Sequence, residues 1–224
     1  SRNYEEFDKK LYTRHFDLAL ANPYQTINAL KHGYHVFAKM GDDAMFRGIF
    51  IVRKDSGIHS VADLRGKALS FPARTALAAT MMPQWFLHTH GLNVTQEVDN
   101  RYVGSQESSI MNVFLGQTAA GATWPPPWRA FSKERPELAE QMEVRWQTEH
   151  LVNNGLVARR NLPEALVRQV GAVLFSLHTH AEGRAILAPM ELSRFEEAND
   201  TTYASVKAFL ARFEQEVRPI RQVP

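Results

Sequence analysis

The chain contains no cysteine. This excludes disulfides, thiolate metal sites and a cysteine nucleophile, and it suits a compartment where stability cannot depend on redox state. No apolar run approaches the roughly 20 residues that cross a bilayer, so no transmembrane segment is expected. The opening residues lack a charged region followed by an apolar one, so no signal peptide is visible, although a mature exported protein would have lost it. Excess charge is also missing: 26 Lys and Arg face 24 Asp and Glu, scattered rather than blocked, which argues against a nucleic-acid partner. P-loop, Gly-x-Gly-x-x-Gly and Gly-x-Ser-x-Gly patterns are absent. Their absence leaves open an enzyme whose site assembles from distant positions.

What is present is an alternation of strand-like and helix-like segments over 224 residues, enough for one large domain or two smaller lobes of α/β class. Tyr4, Phe7 and Leu11 share a helical face; Phe16 to Ala21, Tyr34 to Lys39, Phe46 to Arg53, Ala68 to Phe71 and Val98 to Val103 read as strands. Pro83 falls inside a helical stretch and predicts a kink or break there. Ser105 is a good N-cap and Gly116 a good stop for the helix between them. The run Trp124-Pro-Pro-Pro-Trp128 is expected to be irregular, and Asn161 with Glu164 to start a capped helix burying Leu166, Val170, Val173, Leu174 and Leu177. The two His-Thr-His triplets point to opposite faces at helix ends, so no metal is assigned, and nothing calls for a cofactor.

Several motifs follow one another in an order that resembles a known family. They are Tyr4-Glu-Glu-Phe7 with Phe16-Asp-Leu-Ala19, then Asn22-Pro23-Tyr24, then Val61-Ala-Asp-Leu-Arg-Gly-Lys67. Gly104-Ser-Gln-Glu-Ser-Ser109, Asn153-Asn-Gly-Leu-Val-Ala-Arg-Arg-Asn-Leu-Pro163 and the pair Phe195 and Tyr203 complete the series. Together they resemble the phosphate/phosphite/phosphonate-binding family of periplasmic solute-binding proteins of ABC importers, with the family's first strand–helix unit missing. The resemblance implies a two-lobed fold, each lobe a mostly parallel sheet flanked by helices, joined by two hinge strands. Residues 1–57 with 148–224 would form one lobe and 58–147 the other. It also implies an extracytoplasmic or periplasmic binding protein, a monomer without catalytic residues, that closes on a small anion and docks on permease subunits. The alternatives are the ligand-sensing domain of a signalling protein, or an enzyme on a similar scaffold.

By the same comparison the ligand is met by Tyr24, Phe46, Arg47, Arg74, Thr75, Ala76, Gln106 and Asn154, and the flat face of Trp124, stiffened by the prolines beside it, is read as a pocket wall. The family's Ser-Thr-Ser cradle reads Arg74-Thr75-Ala76 here, its turn histidine reads Gln106, and its acidic reader of an amino group reads Asn154. A phosphonate with an amino tail therefore fits poorly, whereas an oxyanion suits a helix start beside an arginine. The plainer reading makes Thr75 an N-cap with Arg74 in solvent, Asn153-Asn-Gly155 a turn, and Trp124 part of a stiff surface connection.

Overall fold

Local sequence chemistry sets where each element starts and stops in the computed structural model, which describes residues 4–220. The order is α1 (Tyr4–Tyr12), β1 (Leu18–Ala21), α2 (Pro23–Lys31), β2 (Tyr34–Met40), β3 (Arg47–Arg53), β4 (Ala68–Phe71), α3 (Met82–Thr89), β5 (Asp99–Tyr102) and α4 (Gln106–Phe114). There follow β6 (Ala120–Thr123), α5 (Pro125–Glu134), α6 (Pro136–Ala139), β7 (Met142–His150), β8 (Gly155–Arg159), α7 (Glu164–Ser176), α8 (Ala181–Leu187), β9 (Phe195–Glu197) and α9 (Ala204–Glu216). Asn22 opens α2 with a capping box: it accepts from the Gln25 amide at 3.0 Å, and the Gln25 side chain accepts from the Asn22 amide at 3.1 Å. Ser105 caps α4 through the Ser108 amide, as expected. The proline run does not break regular structure but begins α5. Its residues fill the first turn, where a helix has no acceptor for an N–H and proline has none to offer. The expected cap at Asn161 is not formed, and Pro163 precedes α7 instead.

The described residues divide into two compact units, 4–46 with 151–210 and 47–150 with 211–220. This differs from the expected boundaries at both ends of the second unit. All of β3 belongs there because it pairs with β6 and β7, and the chain from Ala211, midway along α9, belongs there with Val217 packed on that unit's core.

In the first unit the strand order is β1-β8-β2-β9. Every pairing is antiparallel, contrary to the expected mostly parallel sheet. β1 and β2 run the same way, joined through α2, but β8 enters between them in the opposite sense. The core beside this sheet gathers Met40, Leu187, Leu192 and Phe195, with Leu174 and Phe175 of α7 against it. Val167, Gly171, Leu174 and Phe175 thus form the inward stripe of α7, so the expected face is met in part: Leu174 and, just past the helix, Leu177 pack on this core. Leu166 and Val173 are 45% and 61% exposed.

The second unit's sheet runs β5-β4-β6-β3-β7, with β4 parallel to β5 and β6, and β3 antiparallel to β6 and β7. The apolar run of β3 reflects a strand buried on both faces: Phe50 and Val52 join one core cluster, Ile49 and Ile51 the other. Buried hydroxyls fix α4 over the sheet, since Ser70 Oγ donates to the Ser109 carbonyl and Ser109 Oγ to the Ala122 carbonyl, both at 2.8 Å.

Asp8 of α1 is 3% exposed and accepts from Gln25 Nε2 at 2.6 Å. Burial pushes its carboxyl up to about 6, against the lowering pull of Gln25 and with a small push from Glu5. A folded-state value above the ordinary one means the native state holds the proton more tightly. Stability should therefore fall as pH rises from about 4 to about 6 and stay lower above that. Asp8→Asn should flatten thermal stability across that window and raise it at neutral pH by about 1–2 kcal/mol. Melting curves from pH 4 to 8 check this, and an unchanged slope in the variant would assign the pH dependence elsewhere.

Candidate functional site

The C-terminal ends of β4, β5 and β6 carry consecutive loops of the second unit, the place where parallel strands direct helix starts and backbone amides toward ligands. β4 ends at Phe71, and a turn over residues 72–76 leads into a π-helical turn, Leu77–Met81, that continues as α3. The expected break near Pro83 takes this form. Without an N–H, Pro83 cannot close the ladder, and the widened turn bonds Met81 N to the Ala76 carbonyl at 3.2 Å.

The start of this helix leaves donors unspent, because its first amides have no intrahelical acceptor. Among the described residues the backbone amides of Thr75, Leu77, Ala78 and Ala79 bond to no acceptor, although all four residues are buried. Thr80 Oγ1, in the same turn, is buried without a partner. Buried unpaired donors each cost about 1–3 kcal/mol and call for an acceptor. Beside them stands Arg74, exposed, its guanidinium 4.3 Å from the centre of the Tyr102 ring and with no carboxylate in ion-pair range among the described residues. The Thr75 hydroxyl also makes no bond among the described residues. The group therefore combines one uncompensated cation, a hydroxyl and several amides. It suits an oxyanion, with the guanidinium able to grip two oxygens. Ala76 contributes less than expected, because its amide is taken by the Ala73 carbonyl at 3.2 Å.

Two further loops adjoin. The Gly104 amide donates to the Pro72 carbonyl at 2.9 Å, tying the turn before α4 to the Arg74 loop. The next residues are the cap Ser105 and then Gln106, whose Oε1 accepts from Thr123 Oγ1 at 2.7 Å. Trp124 follows at the start of α5, half-buried. Arg47 opens β3 and donates to Gln147 Oε1 at 3.2 Å.

Tyr24, Phe46 and Asn154 lie in the first unit. Tyr24 is buried in the first turn of α2, and Phe46 is buried, its carbonyl accepting from the Leu151 amide at 3.1 Å. The β1–β8 register ends with Ala21 opposite Gly155, so Asn22 and Asn154 come one step beyond it on the two strands. Asn22 Nδ2 and Asn154 Oδ1 are both buried without a partner, one a donor and one an acceptor. Asn154 is held by its neighbour: Asn153 Oδ1 accepts from the Asn154 amide at 2.7 Å, and Tyr203 OH donates to the Asn153 carbonyl at 2.7 Å. Asp43 Oδ1 accepts from the Asn153 amide at 2.9 Å and from Lys39 Nζ at 2.9 Å, and Lys39 also pairs with Glu196 at 2.7 Å. Burial lowers the Lys39 ammonium, but its bonds to Glu196 and Asp43 more than reverse that, and Lys39 in turn holds Glu196 below the usual carboxylate range.

Sequence reasoning places an anion at the amides of this helix start, but it does not find Tyr102 beneath Arg74 or the Asn153–Asp43–Lys39 support. Among the described residues no cluster of three or more His, Asp or Glu side chains could hold a metal.

Comparison with known proteins gives these features a family. The model describing the periplasmic substrate-binding protein of phosphonate ABC transporters matches residues 1–203. A probable ABC transporter phosphite-binding protein, PhnD1 of Prochlorococcus marinus, is 24% identical over 185 residues, covering 77% of this chain and 62% of that relative. The chain thus spans somewhat under two thirds of the relative's length. The crystal structure of Prochlorococcus marinus PhnD1 with methylphosphonate superposes with a TM-score of 0.86 at 21% identity, covering 95% of this chain and 84% of the other. A binding-protein component of a Pseudomonas aeruginosa ABC phosphonate transporter gives 0.84 at 17% identity, covering 96% and 74%. The fold is that of these binding proteins, and with its match over residues 1–203 the chain belongs to the family of periplasmic substrate-binding proteins of phosphonate ABC transporters.

Proposed function

We propose that this chain is the solute-binding part of an extracytoplasmic protein that captures a small oxyanion, phosphonate-like or related, and delivers it to the permease subunits of an ABC importer. The observation that carries this reading is the set of unpaired amides at Thr75, Leu77, Ala78 and Ala79 beside an arginine with no carboxylate partner among the described residues. Such donors bind anions without needing to do chemistry on them, so the role is capture and release, with no catalytic residue assigned. Relatives that bind phosphite and methylphosphonate support the oxyanion class. Gln106, in the same unit as Arg74, is neutral and would give a cationic amino tail no charge partner, so the preferred ligand lacks one.

A thermal-shift panel of methylphosphonate, phosphite, phosphate, sulfate, a small sulfonate, a small carboxylate and 2-aminoethylphosphonate tests the proposal. A ligand at a hundred times its dissociation constant should stabilise the protein by about 2.7 kcal/mol. Methylphosphonate or phosphite should outperform the aminated analogue. A panel in which no oxyanion raises the melting temperature would refute the oxyanion reading.

A further inference from the structure

The Arg74 loop is held by a part of the chain far from it in sequence. Arg218, just beyond α9, donates through Nη2 to the Arg74 carbonyl at 3.0 Å and through Nε to Gln84 Oε1 at 2.8 Å. Gln84, fully buried in α3, donates through Nε2 to Tyr102 OH at 3.2 Å and to Asn100 Oδ1 at 3.0 Å. Tyr102 in turn presents its ring to the Arg74 guanidinium. The four residues close a ring of contacts. Arg218 grips Arg74 by its backbone, Tyr102 grips it by its side chain, and Gln84 ties the two holders together. All four belong to the second unit.

The segment bearing Arg218 is itself fixed on α3. Arg212 lies over the Trp85 ring at 5.1 Å, Glu216 approaches His88 at 3.7 Å, and Arg218 stacks on Phe213 at 5.1 Å. The Ile220 amide donates to Glu214 Oε1 at 3.3 Å, turning the chain back after Arg218. Only a guanidinium offers donors in two directions rigidly enough to serve Gln84 and the Arg74 carbonyl together. An ammonium is a point donor. A loop that must present unpaired amides and a bare cation is intrinsically unfavourable, because those groups repel water's loss and one another until an anion arrives. An external brace resolves this by ordering the loop beforehand, which lowers the ordering cost of binding.

We infer that Arg218 is a positioning residue for anion capture, holding the Arg74 loop in its binding conformation from the chain's C-terminal segment, with Gln84 and Tyr102 completing the brace. This rests on the reading of Arg74 and its neighbours as the oxyanion site.

The test combines a ligand-independent readout with a ligand-dependent one on the full chain. In Arg218→Ala, hydrogen exchange of peptides covering residues 72–79 should quicken about tenfold, while peptides from β3 and β4 keep their wild-type rates. Methylphosphonate or phosphite, whichever binds the wild type, should bind about tenfold more weakly. Arg218→Lys keeps the charge and should behave like the alanine variant. Unchanged exchange in the loop, exchange that rises uniformly across the second unit, or full rescue by lysine would each overturn the positioning role. If the wild type binds no oxyanion, the proposed function fails separately, and the exchange data alone still decide whether Arg218 orders the loop.

Discussion

Arg74→Ala should weaken oxyanion binding about a hundredfold, because a charge-assisted pair of hydrogen bonds contributes about 1.5–3 kcal/mol and the loop's other donors are neutral. Arg74 is exposed and its contact with Tyr102 is a single cation–π interaction. At an exposed site that contact stabilises by only about 0.5–1 kcal/mol, so the variant should fold and melt close to wild type. Arg74→Lys retains the charge but cannot grip two oxygens, and should lie between the two, about tenfold weaker than wild type. Titration calorimetry with the panel's best ligand measures all three. Equal affinity in wild type and Arg74→Ala would show that the anion is held elsewhere. A fall in affinity accompanied by a large loss of stability would instead make Arg74 a structural residue.

Gly48→Ala should be the most damaging small change to the same site. A Cβ at Gly48 would lie 2.5 Å from the Ala78 carbonyl oxygen and 2.6 Å from Cγ of Pro83. One of these is backbone and the other a rigid ring, so neither can swing aside. Overpacking of this kind costs about 1–3 kcal/mol, and the rigid neighbours put this case at the upper end. The strain falls on the residues that frame the π-helical turn, so oxyanion affinity should drop together with stability. Urea unfolding and calorimetry on one preparation check both. A variant with the wild-type midpoint would mean that β3 does not press against the turn as described, while a destabilised variant with full affinity would separate the turn's packing from its donors.

The candidate site was legible in sequence where its chemistry is local. Arg74 and Thr75 stand at a strand end followed by a helix, and Ser105 announces the start of α4. The amides at that helix start were legible as well, because the first amides of any helix lack an intrahelical acceptor. Which of them stay unspent was not, since that depends on where carbonyls of the surrounding chain lie. Arg218 was equally hidden: nothing in its neighbourhood along the chain refers to Arg74, and the bond exists because the end of α9 lies on α3. The α7 stripe was legible only in part, for a related reason. Its residues 166–177 are apolar on more than one face, and only the position of Phe195 and its neighbours selects Val167 and Gly171 over Leu166 and Val173.

The sequence by itself determined the α/β class, the beginning of α4 and the strand character of β3, since these follow from alternating element patterns, a cap and an unbroken apolar run. Tertiary structure alone decided the direction of the strands in the first unit, the inward face of α7, the helical state of the proline run and the brace on Arg74. Each of those depends on a partner distant in the chain, and the free energy of a hydrogen bond or a buried face is set by that partner rather than by the residues that carry it.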